Sequence, residues 1–318
     1  MVKYSVVVPL YNEEQVITET YKRLTEVMSK ADGEYELIFV NDGSRDETAN
    51  MAQDICDADS SVKLINFSRN FGHQTAITAG MENSSGQAVV VIDADLQDPP
   101  EVILLMIEKW KEGYDVVYGK RLKRKGESVF KKATAKMFYR FLDSMTNVDM
   151  PVDAGDFRLI DRKVCDEMGR IGENNRYVRG LVSWVGFKQT GVEYVREERF
   201  AGETKYPLKK MIKFAGDAII SFSYKPLKLA AYMGYFMSLL SFAYLIYVVI
   251  RKLIVGDLGD GWASIVAITL FFNGITLIVL GILGEYVGRI YDESKKRPLY
   301  IISEKVNFNG ENDGKTER

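Results

Sequence analysis

The chain has 318 residues, enough for roughly two domains at about 150 residues each. Its 47% hydrophobic and 27% charged residues exclude both a disordered chain and one wholly embedded in a membrane. Lys and Arg total 42 against 44 Asp and Glu, a net charge of -2, so no overall field favours nucleic acid as a partner.

The N-terminus, MVKYSVVVPLYNEE, lacks a signal peptide's long apolar core and cleavage site, so this end is expected to stay in the cytosol. Short apolar, β-branched runs then alternate with helical periodicity. Strands are predicted at Ser5–Leu10, Tyr35–Val40, Val62–Asn66, Ala88–Ile92 and Asp115–Tyr118. Helices are predicted at Glu13–Lys30, Asp46–Ala58, His73–Glu82 and Pro100–Glu112. That alternation implies an α/β fold with a mostly parallel sheet. Ligands of such sheets bind beyond the carboxyl ends of the strands. Unusual polar residues sit there: Tyr11-Asn12-Glu13, Asn41-Asp42-Gly43-Ser44 and Asp93-Ala94-Asp95.

No G-x-G-x-x-G follows the first strand and no Walker lysine loop occurs, so phosphate must be handled without a glycine-rich cradle. The run V-V-V-I-D-A-D-L-Q-D-P-P offers another device. Asp93 and Asp95 at a strand end either hold a divalent cation, Mg²⁺ or Mn²⁺, or are two solvated loop carboxylates. Pro99 and Pro100 suit a helix start. The lone histidine, His73, excludes mechanisms that need two and reads as a structural or hydrogen-bonding residue. Cys56 and Cys165 read as buried, reduced thiols.

Two basic amphipathic stretches follow. SVFKKATAKMFYRFL groups Phe130, Met137 and Phe141 opposite Lys132, Lys136 and Arg140. PLKKMIKFAGDAIISFSY groups Leu208, Met211, Ile212, Ala215, Ile219 and Phe222 opposite Lys209, Lys210 and Lys213. The second could lie on a bilayer surface or pack on the soluble domain, and the two together suggest that this domain sits against the bilayer. Residues 229–250 and 262–284 carry no charge, and each is long enough to cross about 30 Å of hydrocarbon as a helix. Lysines before the first span and Arg289, Lys295, Lys296 and Arg297 after the second predict a hairpin with both ends cytoplasmic. Asn273 is expected to hydrogen-bond between the two helices. The expected organisation is an α/β domain over 1–206, a juxtamembrane amphipathic helix over 207–228, two spans within 229–284 and a cytoplasmic tail over 285–318.

The ordered segments SVVVPLYNEE, FVNDGSRDET, NFGHQTAITAG, VIDADLQDPPE, DAGDFRLI and RFAGETKYP resemble an inverting family 2 glycosyltransferase of GT-A fold. With the hairpin ending GEYVGRIYDESKKRPLY, the likeness narrows to the polyprenyl-phosphate glycosyltransferases, the dolichyl-phosphate mannose synthase and bactoprenol glucosyltransferase group. It covers all but the polar residues after about Glu304. The resemblance implies transfer of one sugar, with glucose on UDP the first choice, from a nucleotide-sugar to undecaprenyl or another polyprenyl phosphate. It implies that Pro9, Tyr11, Asn12, Glu13 and Asp42 hold the nucleoside, and that Asp93, Asp95 and Gln97 hold Mg²⁺ or Mn²⁺. Arg121, Arg199 and Lys205 match cationic positions around the phosphates, and Asp156 matches an acid near the sugar–acceptor junction. Lys131, Lys132 and Lys136 are candidate contacts to the lipid phosphate, and the bactoprenol branch suggests a homotetramer.

A phosphate acceptor is already anionic, with a second pKa near 6, so Asp156 is expected to position or support charge rather than remove a proton. A processive polysaccharide synthase is the competing enzyme. It would carry Q-x-x-R-W and more spans, and VRGLVSWVG lacks that motif. A membrane-anchored scaffold without turnover is the non-enzymatic alternative.

Overall fold

The structure, a computed structural model, describes residues 2–122, 154–174, 176–197, 223–255 and 261–308. Both amphipathic stretches expected from the sequence, with Lys131, Lys132, Lys136, Arg199 and Lys205, lie largely or wholly outside the described residues.

The strands are β1 (Tyr4–Leu10), β2 (Tyr35–Asn41), β3 (Val62–Phe67), β4 (Ala88–Val91), β5 (Val116–Arg121), β6 (Ala154–Asp161), β7 (Gln189–Tyr194) and β8 (Ile302–Val306). The helices are α1 (Ile17–Met28), α2 (Thr48–Ala58), α3 (His73–Glu82), α4 (Val102–Lys111), α5 (Arg162–Arg170), α6 (Val178–Trp184), α7 (Lys225–Val255) and α8 (Trp262–Ser294). The strands form one sheet in the order β7-β5-β6-β4-β1-β2-β3-β8. β1 to β4 are parallel, β6 runs against β4 and β5, β7 is parallel to β5, and β8 runs against β3. The sheet is therefore mostly parallel, with β6 and β8 reversed.

Every residue of β1 is buried, as a central strand covered on both faces requires. Pro9 is tolerated there for a local reason. The Val7 carbonyl accepts from the Ile92 N–H on the β4 side. Two residues on, Pro9 faces the same side after β4 has ended, where no strand partner awaits an N–H.

The described residues fall into two units. One holds the sheet and α1 to α6, and includes the chain from Arg297 on; the other holds α7 and α8. The segment after the second apolar span was expected to be a tail. Instead it supplies β8, whose Leu64↔Val306 to Phe67↔Ile302 register closes the β3 edge. The Asn307 side chain also donates to the Cys56 and Val62 carbonyls at 2.7 and 2.8 Å. These are long-range contacts that a polar pentapeptide does not announce in its own pattern.

Within the second unit, Lys225–Val248 and Ser264–Ser294 are long and apolar enough to cross a membrane. Their side chains are left bare, with Tyr235 72% and Leu277 68% exposed. The Tyr286 hydroxyl donates to the Ser223 carbonyl at 2.7 Å, tying the far part of α8 to the entry of α7. Asn273 is exposed, and among the described residues it makes no hydrogen bond to α7.

Candidate active site

The topology brings distant residues to one sheet edge. The carboxyl ends of β1, β2, β3, β4, β5 and β7 meet there with the amino end of the reversed β6. Tyr11-Asn12-Glu13, Asp42, Asp93-Ala94-Asp95, Arg121, Asp156 and Tyr194 all lie on this rim.

On the β1–β2 side, two loops lock together. The Asn12 N–H donates to Ser44 Oγ at 3.1 Å, and Asn12 Oδ1 accepts from the Arg45 N–H at 2.9 Å. The Glu13 N–H donates to Thr48 Oγ1 at 2.8 Å. Asn12 adopts φ 55°, which asparagine tolerates, while Tyr11 is exposed. Gly43 combines φ 65° with a close approach, since a β-carbon there would lie 2.6 Å from the backbone of Arg69 and Asn70.

Asp42 is buried and fully engaged. Its carboxylate accepts from the N–H groups of Phe71 (2.6 Å) and Gly72 (2.9 and 3.2 Å) and from Asn70 Nδ2 (2.9 Å). Burial pushes its pKa up against the pull of those N–H groups. Asp42 thus fastens the loop that leads into α3.

Beyond β4 the chain turns sharply through D-A-D-L-Q-D. Leu96 sits at φ 56°, a strained conformation for a bulky residue, and its side chain is buried. Asp95 Oδ1 accepts from the Gln97 N–H at 3.1 Å, and the Gln97 carbonyl accepts from the Glu197 N–H at 2.9 Å. Asp93 Oδ1 is buried without a hydrogen bond and faces His73 Nε2 at 3.4 Å. Burial, then the nearby acids Asp156, Asp95 and Asp98, push the Asp93 carboxyl up against His73. Among the described residues no three His, Cys, Asp or Glu side chains gather as a complete ligand set. Two neighbouring carboxylates, one with an orphaned oxygen, are a donor set that fits a hard divalent cation.

Arg121 is anchored beside this turn. Its Nη2 lies 3.1 Å from Asp98 Oδ2 and its Nε donates to the Tyr194 hydroxyl at 3.1 Å. That hydroxyl donates in turn to Asp98 Oδ1, and Arg196 Nε approaches Asp98 at 3.6 Å. Asp98, 1% exposed, is thereby a buried hub for two arginines.

Asp156 forms the third group. Arg179 donates to it from Nε (2.7 Å) and Nη2 (2.9 Å), Gln74 Nε2 donates at 3.3 Å, and His73 Nε2 lies at 3.5 Å. Burial opposes ionisation here, but His73 and Arg179 hold the carboxyl well below the usual range. Asp156 and Asp93 push His73 up to about 9, against its own burial and the nearby Arg179. Arg158, in the D-F-R-L segment, is 4% exposed, gives Nη2 to the Gly155 carbonyl at 2.8 Å, and has no partner for Nε. Burial lowers its pKa to about 10.

Of the residues expected from the sequence, Pro9, Tyr11, Asn12, Glu13, Asp42, Asp93, Asp95, Gln97, Arg121 and Asp156 share this rim. His73, Asp98, Arg158, Arg179 and Tyr194 are additions. His73 lies in the quoted NFGHQ segment and Arg158 in DFRL, so both were within reach of the motifs. Cys56 and Cys165 are buried free thiols, each pushed up to about 12 by burial, away from this chemistry.

Comparison with known proteins bears on this rim and on the hairpin. The Glycosyl transferase family 2 profile matches residues 5–169, and the GtrB C-terminal hairpin profile matches residues 225–290. The glycosyltransferase YkcC of Bacillus subtilis is 63% identical over 95% of this chain and 93% of its own length. Bactoprenol glucosyl transferase of Shigella phage SfV is 42% identical over 94% of this chain and 98% of its own. Glucosyl-3-phosphoglycerate synthase from Mycobacterium tuberculosis, solved with Mn²⁺, uridine-diphosphate and phosphoglyceric acid, is 18% identical. That match covers 69% of this chain and 76% of the other, with a TM-score of 0.47. With one profile spanning the α/β core and another the apolar helix pair, this chain is a member of glycosyl transferase family 2, GT-A in fold.

Proposed function

We propose that this glycosyltransferase moves one glucose from UDP-glucose to undecaprenyl or another polyprenyl phosphate, with inversion, at the cytoplasmic face of the cell membrane. The observation that carries the reading is the meeting of Asp42, Asp93, Asp95, Arg121 and Asp156 on one sheet rim, in a chain that also bears two bare apolar helices. The relatives named for bactoprenol glucosyl transfer, which match over 94% of this chain, support the same substrate pair.

Asp93, Asp95 and Gln97 would hold Mg²⁺ or Mn²⁺, which when bound supplies positive charge against a departing nucleoside diphosphate. Pro9, Tyr11, Asn12 and Glu13 line the nucleoside end, and Asp42 orders the loop beside them. Arg121, fixed by Asp98 and Tyr194, presents a permanently charged group to phosphate. Arg199, Lys205, Lys131 and Lys132 are assigned to the same phosphates by their motif positions alone. The acceptor phosphate attacks as an anion, so no proton has to leave it. Asp156, its oxygens already engaged by Arg179, Gln74 and His73, acts by seating those groups.

Reaching the acceptor requires the bilayer, because a polyisoprenoid loses about 0.8 kcal/mol per CH₂ withdrawn from lipid. The cytoplasmic placement of both hairpin ends is supported by their basic flanks and by β8, which joins the α/β unit soon after α8. The test is purified protein with undecaprenyl phosphate, Mg²⁺ and a panel of nucleotide-sugars, with mass analysis of the lipid. A single-hexose lipid phosphate from UDP-glucose is expected. A polymer, or no lipid product from any donor, overturns the reading.

A further inference from the structure

We infer that His73 and Arg179, presented by Asp156, form a phosphate-binding clamp on the β6 side of the pocket. The inference rests on the function proposed above and adds two residues that touch substrate.

Three observations carry it. The first is the pattern of exposure. Asp156 and Arg158 are buried, whereas the His73 and Arg179 side chains keep 42% and 30% of their surface open. A ligand arriving from solvent meets these two side chains before the acid that seats them. Arg179 spends Nε and one Nη2 hydrogen on Asp156, and among the described residues nothing accepts from Nη1, leaving it for an incoming oxyanion.

The second is an unsatisfied buried donor beside the pair, on Arg158. Arg158 is more than nine-tenths buried, with its Nε unpartnered. A buried guanidinium with a free donor is costly unless an anion comes close.

The third is the start of α3. Thr75 and Ala76 N–H groups return to the Gly72 carbonyl, and the His73 and Gln74 N–H groups have no acceptor among the described residues. A helix start of this kind attracts an anion. Gln74 braces it by accepting from the Val178 N–H at 3.0 Å, so α3 and α6 deliver His73 and Arg179 to one place. A phosphate oxyanion fits this arrangement, either the acceptor's monoester or the donor's diphosphate. A purely structural ion network would need neither the exposed faces of His73 and Arg179 nor the unpartnered Arg158 Nε.

The test uses the full chain in vesicles, as wild type, His73→Asn and Arg179→Lys. Binding is measured separately to vesicles carrying undecaprenyl phosphate, to vesicles carrying undecaprenol, and to UDP-glucose, alongside KM for each substrate and thermal unfolding. Wild type is expected to prefer the phosphate lipid over the prenol, and each variant to lose at least tenfold of that preference with unfolding little changed. A tenfold loss confined to UDP-glucose supports the clamp and assigns it to the donor. Unchanged binding of both substrates, or losses that only follow a lower unfolding temperature, overturns it. Because binding is read without turnover, a wild type that binds the phosphate lipid but makes no product sinks the proposed reaction and leaves the clamp standing.

Discussion

The guanidinium of Arg121 crosses the backbone of Gly155 so closely that a β-carbon there would lie 2.7 Å from Nη2. Gly155→Ala must therefore push Arg121 off Asp98 and Tyr194 or shift β6. The expected outcome is a fall in sugar transfer of at least tenfold, with about 1–3 kcal/mol lost from stability by overpacking. Steady-state kinetics with denaturant unfolding check it; normal transfer would show that Arg121 has no part in the reaction.

Asp42→Asn replaces an acceptor of several N–H bonds by a group that must turn one donor toward them. About 2 kcal/mol of stability should be lost, as for a hydrogen-bonded charge. KM for the nucleotide-sugar should rise about tenfold while KM for the lipid acceptor stays near wild type, because the loop it fastens borders the proposed donor end. Equal changes in both constants would point to a global defect.

Chelation gives the third expectation. EDTA should abolish transfer, and Mg²⁺ or Mn²⁺ should restore it. Asp93→Asn and Asp95→Asn should each lose about 10²–10³-fold, the scale of removing one charge-stabilising group from a transition state. Near-normal transfer by Asp95→Asn in chelator would rule out the cation.

Away from the rim, Glu36 is 2% exposed, with Lys63 Nζ 2.5 Å from Oε2 and Ser5 and Ser85 on Oε1. Burial raises its pKa, but those partners outweigh it and leave the carboxyl below its ordinary 4.5. A depressed folded-state pKa gives stability that is present above 4.5 and lost as pH falls through the folded value. Glu36→Gln should cost about 3 kcal/mol at neutral pH by stranding Lys63, and should flatten the loss of stability below pH 4.5. Unfolding followed from pH 7 down to pH 3 reads both effects.

Deleting residues 297–318 should damage the α/β unit itself. It removes β8, the stacking of Tyr300 on Phe67 at 5.2 Å, and the Tyr300 hydroxyl bond to Glu82 at 2.6 Å. Phe67 in turn packs edge-on against Phe71, whose N–H is held by Asp42. The shortened protein should unfold at lower temperature and self-associate through the bared β3 edge. Tyr300→Phe, which keeps the stack, should retain most of the stability. A shortened chain as stable and monodisperse as the full one would contradict this.

How far the sequence spoke for the fold depended on whether burial was local. β1 and β4 are buried along their whole length, and β2 and β3 are mostly apolar with Glu36 and Lys63 paired inside, so composition largely marked them, and α3 was predicted with its observed bounds. The apolar helices were legible for the same reason, although both extend past their uncharged cores. β6 was missed because Asp156 and Arg158 look like surface residues until Arg179 and His73 join Asp156 from other parts of the chain. β7 and β8 are short and polar, and exist through pairing with β5 and β3. Asp93 and Asp95 announced themselves by spacing. His73 did not, because its two carboxylate neighbours come from other elements.

In a chain made from its N-terminus, both apolar helices leave the ribosome before β8 does. The nascent α/β layer keeps β3 uncapped until both helices have been made and the chain has reached Ile302. A chain that stops short of that point carries a bare strand edge, a template for unwanted pairing. Completion of the α/β layer is in this way coupled to completion of both apolar helices.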